Sequence, residues 1–216
     1  MTHRDAPALV LIHGAASTHG VWDSIRDGFD GLSVETVDLP GYVPGNGSSL
    51  ASIASYADAL QHTLPAGPLV LVGHSMGGLI AIELTSTLDN VVGIVTIGTG
   101  AHMAVNSELL SSAKEKPAFA MVPIRKWSLR RDASEDHKTR LHDSTSPEAV
   151  ESIFNDLTAC EAYVDASTRL ADFDRPALIT IGDEDRMVPR SQAETLAAVS
   201  ESARLVVIEN ASHTPQ

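Results

Sequence analysis

A short glycine and serine segment constrains this chain of 216 residues more than any other feature. The segment Gly73-His74-Ser75-Met76-Gly77 follows four apolar residues, 69–72, which are typical of a strand buried on both faces. The residues after it, 76–88, suit a helix. A tight strand-to-helix turn holds its serine in a strained conformation and needs flanking glycines, because a Cβ there would strike a neighbouring element. We therefore predict that Ser75 projects its Oγ from the top of a sheet.

Such a turn allows two interpretations of the serine. In the simpler one, Ser75 only caps the helix that follows it. In the other, Ser75 is a nucleophile, and the N–H groups of Ser75 and Met76 point to where negative charge develops. The apolar run before the turn and the amphipathic helix after it favour the nucleophile.

Composition limits the classes of protein that need to be considered. A chain of this length most simply forms one domain with a substantial core, and 43% hydrophobic with 20% charged residues is ordinary for a globular protein. The net charge of -13 argues against nonspecific nucleic-acid binding. Cys160 is the single cysteine, so no intrachain disulfide is expected, and we expect a cytoplasmic protein without a leader. No apolar run approaches the roughly 20 residues of a membrane span.

Strand and helix patterns alternate along most of the chain. Strand patterns cover 8–12, 32–37, 69–72, 91–97, 177–181 and 204–208, and helix patterns cover 20–28, 53–64, 76–88 and 190–200. This alternation predicts an α/β fold with a mostly parallel sheet flanked by helices. The rhythm stops at 101–173, a charged and helical stretch with prolines as breaks. We predict a core formed by 1–100 and 174–216, with 101–173 as a helical insertion.

Three chemically competent residues follow predicted parallel strands, namely Ser75, Asp185 and His213. The carboxyl ends of such strands meet at one edge, where open α/β sheets bind ligands. A serine needs a base to activate it, and the base needs a carboxylate to fix its tautomer. Asp183 competes with Asp185 for the acid role, and the alternative for His213 is an exposed terminal histidine.

Five ordered segments of the chain resemble the α/β-hydrolase superfamily, and the resemblance covers nearly the whole length. It implies that Ser75 is the nucleophile, His213 the base and Asp185 the acid. It further implies an oxyanion hole from the N–H groups of Ala15 and Met76, and a helical cap formed by the insertion. The matching segments are His13-Gly14-Ala15-Ala16, Asp38-Leu39-Pro40-Gly41, Gly73-His74-Ser75-Met76-Gly77-Gly78, Gly182-Asp183-Glu184-Asp185-Arg186-Met187-Val188-Pro189 and Ala211-Ser212-His213.

Two functions follow from this resemblance. The first is a cofactor-independent serine hydrolase that cleaves a carboxylic ester or related small-molecule acyl substrate through an acyl-enzyme. The second is a ligand-binding or catalytically weak member of the same superfamily. Serine rather than aspartate at the turn argues against haloalkane dehalogenases and epoxide hydrolases, whereas lactonase, thioesterase, acyltransferase, perhydrolase and carbon-carbon bond hydrolase chemistry stays open. The remaining histidines show no metal-ligand spacing, so we expect no metal.

Apolar and cationic residues interleave in the segment 119–131 of the insertion. The simpler interpretation is a cap helix with one apolar and one solvated basic face. In the more specific interpretation, four residues of this segment line an acyl pocket, while some of its cations steer an anionic substrate or carrier. These four residues are Met121, Ile124, Trp127 and Leu129.

His213 is followed by only three residues in this sequence. The resemblance implies a further helix that packs on the sheet and anchors the histidine loop. Without it we expect the His213 loop to lack anchors and one sheet face to stay exposed. A shortened form of a longer protein and a homodimer that covers this face are the two interpretations.

Overall fold

The computed structural model of this chain describes residues 6–29 and 31–215. Its centre is one sheet of six parallel strands in the order β2-β1-β3-β4-β5-β6. The predicted α/β class with a parallel sheet is confirmed. The strands are β1 (Ala8–Ile12), β2 (Val34–Val37), β3 (Leu69–His74), β4 (Val91–Ile97), β5 (Ala177–Gly182) and β6 (Ala203–Ile208).

Helices connect and cover these strands. The segment after β1 is irregular, with 3-10 turns at His19–Trp22 and Asp27–Phe29 around the short helix α1 (Asp23–Arg26). Among the described residues, no helix is both long enough and apolar enough to cross a membrane. The other helices are α2 (Ile53–Gln61), α3 (Met76–Leu84), α4 (Ser107–Glu115), α5 (Pro117–Ser128), α6 (Glu135–Asp143), α7 (Pro147–Ala162), α8 (Ala166–Ala171) and α9 (Arg190–Ala197).

Helix α3 ends at Leu84, four residues before the predicted end. The hydroxyl groups of Thr85, Ser86 and Thr87 each donate to a carbonyl three residues earlier. Such local side-chain bonds compete with the helical pattern and favour turns. Short polar side chains therefore end α3 before its apolar pattern ends.

Two of the three prolines that were expected to break the insertion instead begin helices. Pro117 and Pro147 occupy the first turns of α5 and α7, where a missing N–H costs no helical hydrogen bond. Pro123 lies inside α5. The insertion therefore contains five helices, and the division at 101 and 173 into cap and core stays a prediction.

The two faces of the sheet are covered unequally. Alternate residues such as Leu71 and Ile179 are fully buried in the main core, together with α3. The opposite face packs against Trp22 and its neighbours in the segment after β1. Near β6 this second face is open, since Val206 is 45% exposed. One half-exposed valine does not make an apolar patch, so the expected exposed surface and the homodimer both stay predictions.

A buried carboxylate joins the end of the insertion to α3. Glu83 accepts a hydrogen bond of 2.7 Å from the Tyr163 hydroxyl. It also accepts two from the Arg169 guanidinium, at 3.1 and 3.3 Å. Because Glu83 is buried and accepts all three bonds, α8 is fixed against α3, the helix that follows Ser75.

We expect Glu83→Ala to lower the free energy of unfolding by about 2 kcal/mol, since it leaves a buried hydroxyl and a guanidinium without their acceptor. Glu194→Ala is the matched control, because it also removes a helical glutamate paired with arginine, but an exposed one. Its cost should stay below about 0.5 kcal/mol. Urea denaturation of both variants makes the comparison, and equal costs would contradict the role given to Glu83.

Candidate active site

The backbone at Ser75 has the strained conformation that the sequence predicts for this turn. Its φ of 53° and ψ of -118° place a residue with a Cβ in the left-handed half of the backbone map. A Cβ on Gly73 would lie 2.2 Å from the Gly77 carbonyl oxygen, and one on Gly77 would lie 2.3 Å from the Ile12 carbonyl oxygen. Both glycines are therefore required sterically, because strand and helix pass closer than a side chain allows. The turn ends with the Ser75 side chain in a cavity.

His213 and Asp185 form a buried pair. The His213 Nδ1 lies 2.8 Å from the Asp185 Oδ2, and their side chains are 3% and 1% exposed. The other oxygen, Oδ1, accepts from the N–H groups of Met187 and Val188 at 2.8 and 2.9 Å. Burial alone would raise the pKa of Asp185, but the adjacent His213 and these N–H donors lower it below the ordinary value. Asp185 is therefore ionised at neutral pH.

The rival acidic residues of the same loop have other partners. Asp183 accepts a hydrogen bond of 3.2 Å from the Ala211 N–H. Glu184 lies 3.6 Å from Arg130. Of the three acids, Asp185 is thus the one in contact with His213.

Ser75 and His213 line the same cavity, called here the serine cavity. No hydrogen bond joins their side chains in the described structure, and such bonds often form only when substrate is bound. The serine cavity has a volume of about 50 Å³, enough for only a few atoms. Its wall also contains Ala15, Ala16, Ser17, Val21, His74, Met121, Ile124, Arg125, Ser128, Leu141, Thr145, Ile153, Leu157, Met187 and Thr214.

The His213 loop is anchored, so the expectation of an unanchored loop is wrong. The Thr214 N–H donates to the Ser128 carbonyl at 3.0 Å, and the Ser212 hydroxyl donates to the Trp127 carbonyl at 3.3 Å. Arg186 donates to the carbonyls of Lys126 and Leu129. The last carbonyls of a helix lack helical partners, so the end of α5 offers acceptors to the loops that carry Asp185 and His213. Sequence reasoning did not identify this support, since it depends on where α5 ends in space.

Two further histidines hold the loops in place without charge. The His74 Nε2 lies 2.9 Å from the His213 carbonyl oxygen and must donate to it. The His13 Nε2 accepts from the Leu39 N–H at 3.1 Å, which leaves its Nδ1 to donate to the Gly14 carbonyl. Burial lowers the pKa of His13 to about 4 and that of His74 to about 3. Both histidines therefore serve as neutral hydrogen-bonding groups of the structure.

The two predicted oxyanion donors lie on either side of Ser75. Met76 begins α3, and Ala15 lies in the loop after β1 and lines the serine cavity. A Cβ on Gly14 would lie 3.0 Å from the Ser75 Cβ, so this loop passes directly beside the serine. The described structure gives neither the Ala15 nor the Met76 N–H a hydrogen-bond acceptor. The oxyanion hole formed by these two groups stays a prediction.

Asp156 supports the same loop from the insertion. Its Oδ2 lies 3.4 Å from the N–H of Ala16, which has a φ of 55°, and its Oδ1 accepts from the Tyr56 hydroxyl at 3.0 Å. Burial raises the pKa of Asp156 to about 7, although the hydrogen bonds it accepts counteract this. A carboxylate within the apolar face formed by Ile153, Leu157 and Cys160 was the available sequence signal. Cys160 itself is buried in the core.

The four predicted pocket residues divide between two cavities. Met121 and Ile124 line the serine cavity together with Ile153 and Leu157 of α7. Trp127 and Leu129 do not, and instead line a neighbouring cavity. Residues three or four apart share a helix face, so α5 presents 121, 124, 125 and 128 to Ser75 and turns Trp127 away.

We expect the stability of the wild type relative to Asp156→Asn to fall by roughly 2 kcal/mol between about pH 5 and about pH 8. A carboxyl whose pKa is raised on folding stabilises the protein fully below its unfolded pKa and loses this contribution as pH rises through about 7. The asparagine variant does not titrate, so the difference isolates Asp156. Urea titrations across this range measure it, and a difference independent of pH would show that Asp156 keeps an ordinary pKa.

Comparison with known proteins agrees with this geometry. The profile described as the alpha/beta hydrolase family matches residues 9–216. A bifunctional biotin-biosynthesis protein of Cellvibrio japonicus is 26% identical over 96% of this chain, which spans only 44% of that protein's length. The pimeloyl-[acyl-carrier protein] methyl ester esterase of Xanthomonas axonopodis pv. citri is 26% identical over 97% of the chain and 88% of its own length.

Solved structures show the same fold. The enol-lactonase of Burkholderia xenovorans LB400 has a TM-score of 0.85 over 99% of this chain and 86% of its own, at 20% sequence identity. At that identity the likeness concerns the fold alone. Since the family profile spans nearly all of the sequence and the site has the family's strand-end arrangement, this chain belongs to the alpha/beta hydrolase family.

Proposed function

We propose that this protein is a cofactor-independent serine hydrolase that cleaves a carboxylic ester or a related acyl substrate. The observation that carries this proposal is the buried His213–Asp185 pair, whose imidazole shares one cavity with the strained Ser75. The relative named as a pimeloyl-[acyl-carrier protein] methyl ester esterase supports the same class of reaction.

In the first half of the reaction, the Ser75 Oγ attacks the substrate carbonyl while the His213 Nε2 takes its proton. Asp185 accepts from the His213 Nδ1–H, which leaves Nε2 as the base and stabilises the imidazolium. The N–H groups of Ala15 and Met76 donate to the oxyanion that develops. The tetrahedral intermediate collapses, and the alcohol leaves with the proton held by His213.

In the second half, His213 takes a proton from water, whose oxygen attacks the acyl-enzyme carbonyl. The same two N–H groups stabilise the second oxyanion. The bond to the Ser75 Oγ then breaks, the serine regains its proton from His213, and the carboxylic acid is released. No cofactor is required, because every proton and electron pair comes from the side chains, the substrate or water.

The cap side of the site supplies the substrate contacts. Met121 and Ile124 of α5 pack beside Ser75 and form an apolar wall for the group nearest the reacting carbonyl. Asp156 keeps the Ala15 loop in position through Ala16 and is a positioning residue rather than a catalytic one. Helices α4 to α8, within 101–173, form the cap in this proposal.

Labelling with a fluorophosphonate probe distinguishes the hydrolase hypothesis from the hypothesis of a binding protein with the same fold. Stoichiometric labelling of Ser75, together with turnover of short aryl esters, supports the hydrolase. An unlabelled serine under forcing conditions would instead support a ligand-binding member that lacks an activated nucleophile. Aryl esters of graded acyl length then define the size of the apolar site.

Ser75→Ala should lower kcat/KM for a short aryl ester by at least about 10⁴-fold. The fold should persist, since the substitution keeps the Cβ and removes a hydroxyl without hydrogen-bonded partners in the described structure. Steady-state kinetics with circular dichroism and a Tm measurement test both statements. Residual activity near that of the wild type would exclude Ser75 as the nucleophile.

Asp185→Asn should lower kcat by about 10⁴-fold, as loss of the acid does in serine proteases. The amide oxygen must keep accepting from Met187 and Val188, so its NH2 group faces His213 and imposes the wrong tautomer. Asp183→Asn is the matched control, because it keeps an acceptor for the Ala211 N–H and does not contact the imidazole. If the control lost more activity than Asp185→Asn, the acid would be wrongly assigned.

A further inference from the structure

A second cavity, called here the basic cavity, lies beside the serine cavity. It has a volume of about 710 Å³, within the range of small-molecule sites. Six of its nine lining residues are cationic, three are apolar and none is acidic. The cations are Arg125, Lys126, Arg130, Arg131, Lys138 and Arg186, and the apolar residues are Trp127, Leu129 and Leu141.

This concentration of positive charge contrasts with the rest of the chain. The net charge is -13, yet six of the 15 lysines and arginines line this one cavity. Three carboxylates at its rim neutralise part of the charge, since Arg130 pairs with Asp132 and Glu184, and Lys138 pairs with Glu135. In the described structure the other four cations have no carboxylate partner. A concave surface of one sign focuses its field on the space inside it.

Arg125 has an unmet requirement for an acceptor. Its Nε is buried and has no hydrogen-bond partner in the described structure. A buried donor without an acceptor is costly, and donors of this kind in native structures call for a specific explanation. An anionic ligand in the basic cavity would neutralise the charge of this guanidinium.

Arg125 also connects the two cavities. It lines both of them, as does Leu141, so the basic cavity adjoins the space in front of Ser75. The serine cavity has room for only a few atoms, at about 50 Å³. Any longer part of a substrate must therefore extend elsewhere, and the basic cavity is the larger adjoining space.

We propose that the basic cavity binds an anionic group, a carboxylate or a phosphate, at the far end of the acyl ester whose carbonyl reacts with Ser75. This inference rests on the proposed function and names its substrate class. Guanidinium groups suit both anions because their N–H donors form a planar fork. The apolar side chains of Trp127, Leu129 and Leu141 contact the carbon chain between the anion and the ester. The anion belongs to a small molecule, since the cations line a concavity that adjoins the serine cavity.

The kinetic test compares two substrates that differ only in charge. One is the monomethyl ester of a linear dicarboxylic acid, and the other is the same molecule with its free carboxylate replaced by a carboxamide. The wild type should prefer the anionic ester by about tenfold in kcat/KM, which corresponds to one charge-assisted hydrogen bond. This preference should fall with added salt. Equal kcat/KM values for the two esters would overturn the proposal.

Two variants test whether the preference for the anionic ester arises in the basic cavity, and a third variant controls for the change in net charge. Arg125→Ala and the exposed Arg131→Ala should each bring the ratio of kcat/KM values, anionic ester over amide, towards unity. Arg190→Ala removes the same charge from α9, outside both cavities, and should leave the ratio unchanged. If Arg190→Ala lowered the ratio as much as the other two, the effect would come from net charge and the cavity would not be the site.

A binding measurement separates this inference from the proposed function. Calorimetry on Ser75→Ala protein with the free dicarboxylate, and separately with inorganic phosphate, measures anion binding without turnover. Binding that is lost on adding Arg131→Ala supports the basic cavity even if the wild type hydrolyses no ester, and the tighter of the two anions identifies the headgroup. An active esterase that binds neither anion would overturn this inference alone. Preference for an ester linked to an acidic carrier protein, with none for the free anionic ester, would also overturn it.

Discussion

The close approach of α3 to the sheet is the constraint on which the site depends. The backbone after β3 turns into α3 so tightly that Gly73 and Gly77 touch other main-chain atoms where a side chain would stand. The cost is a strained φ at Ser75, and the surrounding burial maintains it. The strain leaves the Ser75 hydroxyl at the edge of the sheet with the first N–H groups of α3 beside it.

Helices α5 and α7 and the loops around Ser75 are parts of one hydrogen-bonded structure. The end of α5 binds the loops that carry Asp185 and His213 through carbonyls that no helical N–H can reach. On the other side of Ser75, Asp156 of α7 binds the loop that carries Ala15 through the neighbouring Ala16. A movement of α5 and α7 would therefore displace His213, Asp185 and the Ala15 loop together.

Charge is arranged so that the two ends of a substrate would meet different surroundings. The serine cavity is small, and Met121, Ile124, Ile153 and Leu157 give it an apolar wall; the nearby His13 and His74 are neutral. The basic cavity is larger and cationic, within a strongly acidic chain. Arg125 lines both cavities. One face of α5 is turned towards Ser75, and the adjacent face is turned towards the basic cavity. A site of this form favours a substrate with a reactive ester and a distant anion.

Local sequence alone determined the parallel sheet, the turn at Ser75 and the order of Ser75, Asp185 and His213. Their signals are local, since apolar runs, glycine spacing and strand-end residues act through neighbours in the chain. The choice of Asp185 over Asp183 followed from a family resemblance, and the structure places Asp185 against His213.

Only the tertiary structure decided how the His213 loop is anchored, which pocket residues face Ser75, and where the cations gather. The anchoring bonds join Thr214 to Ser128 and Ser212 to Trp127, across more than eighty residues of sequence. Trp127 was assigned to the acyl pocket because it is apolar, yet the rotation of α5 places it in the basic cavity. Contacts of this kind depend on where helices end and how they rotate against the sheet, and no local pattern of residues specifies either.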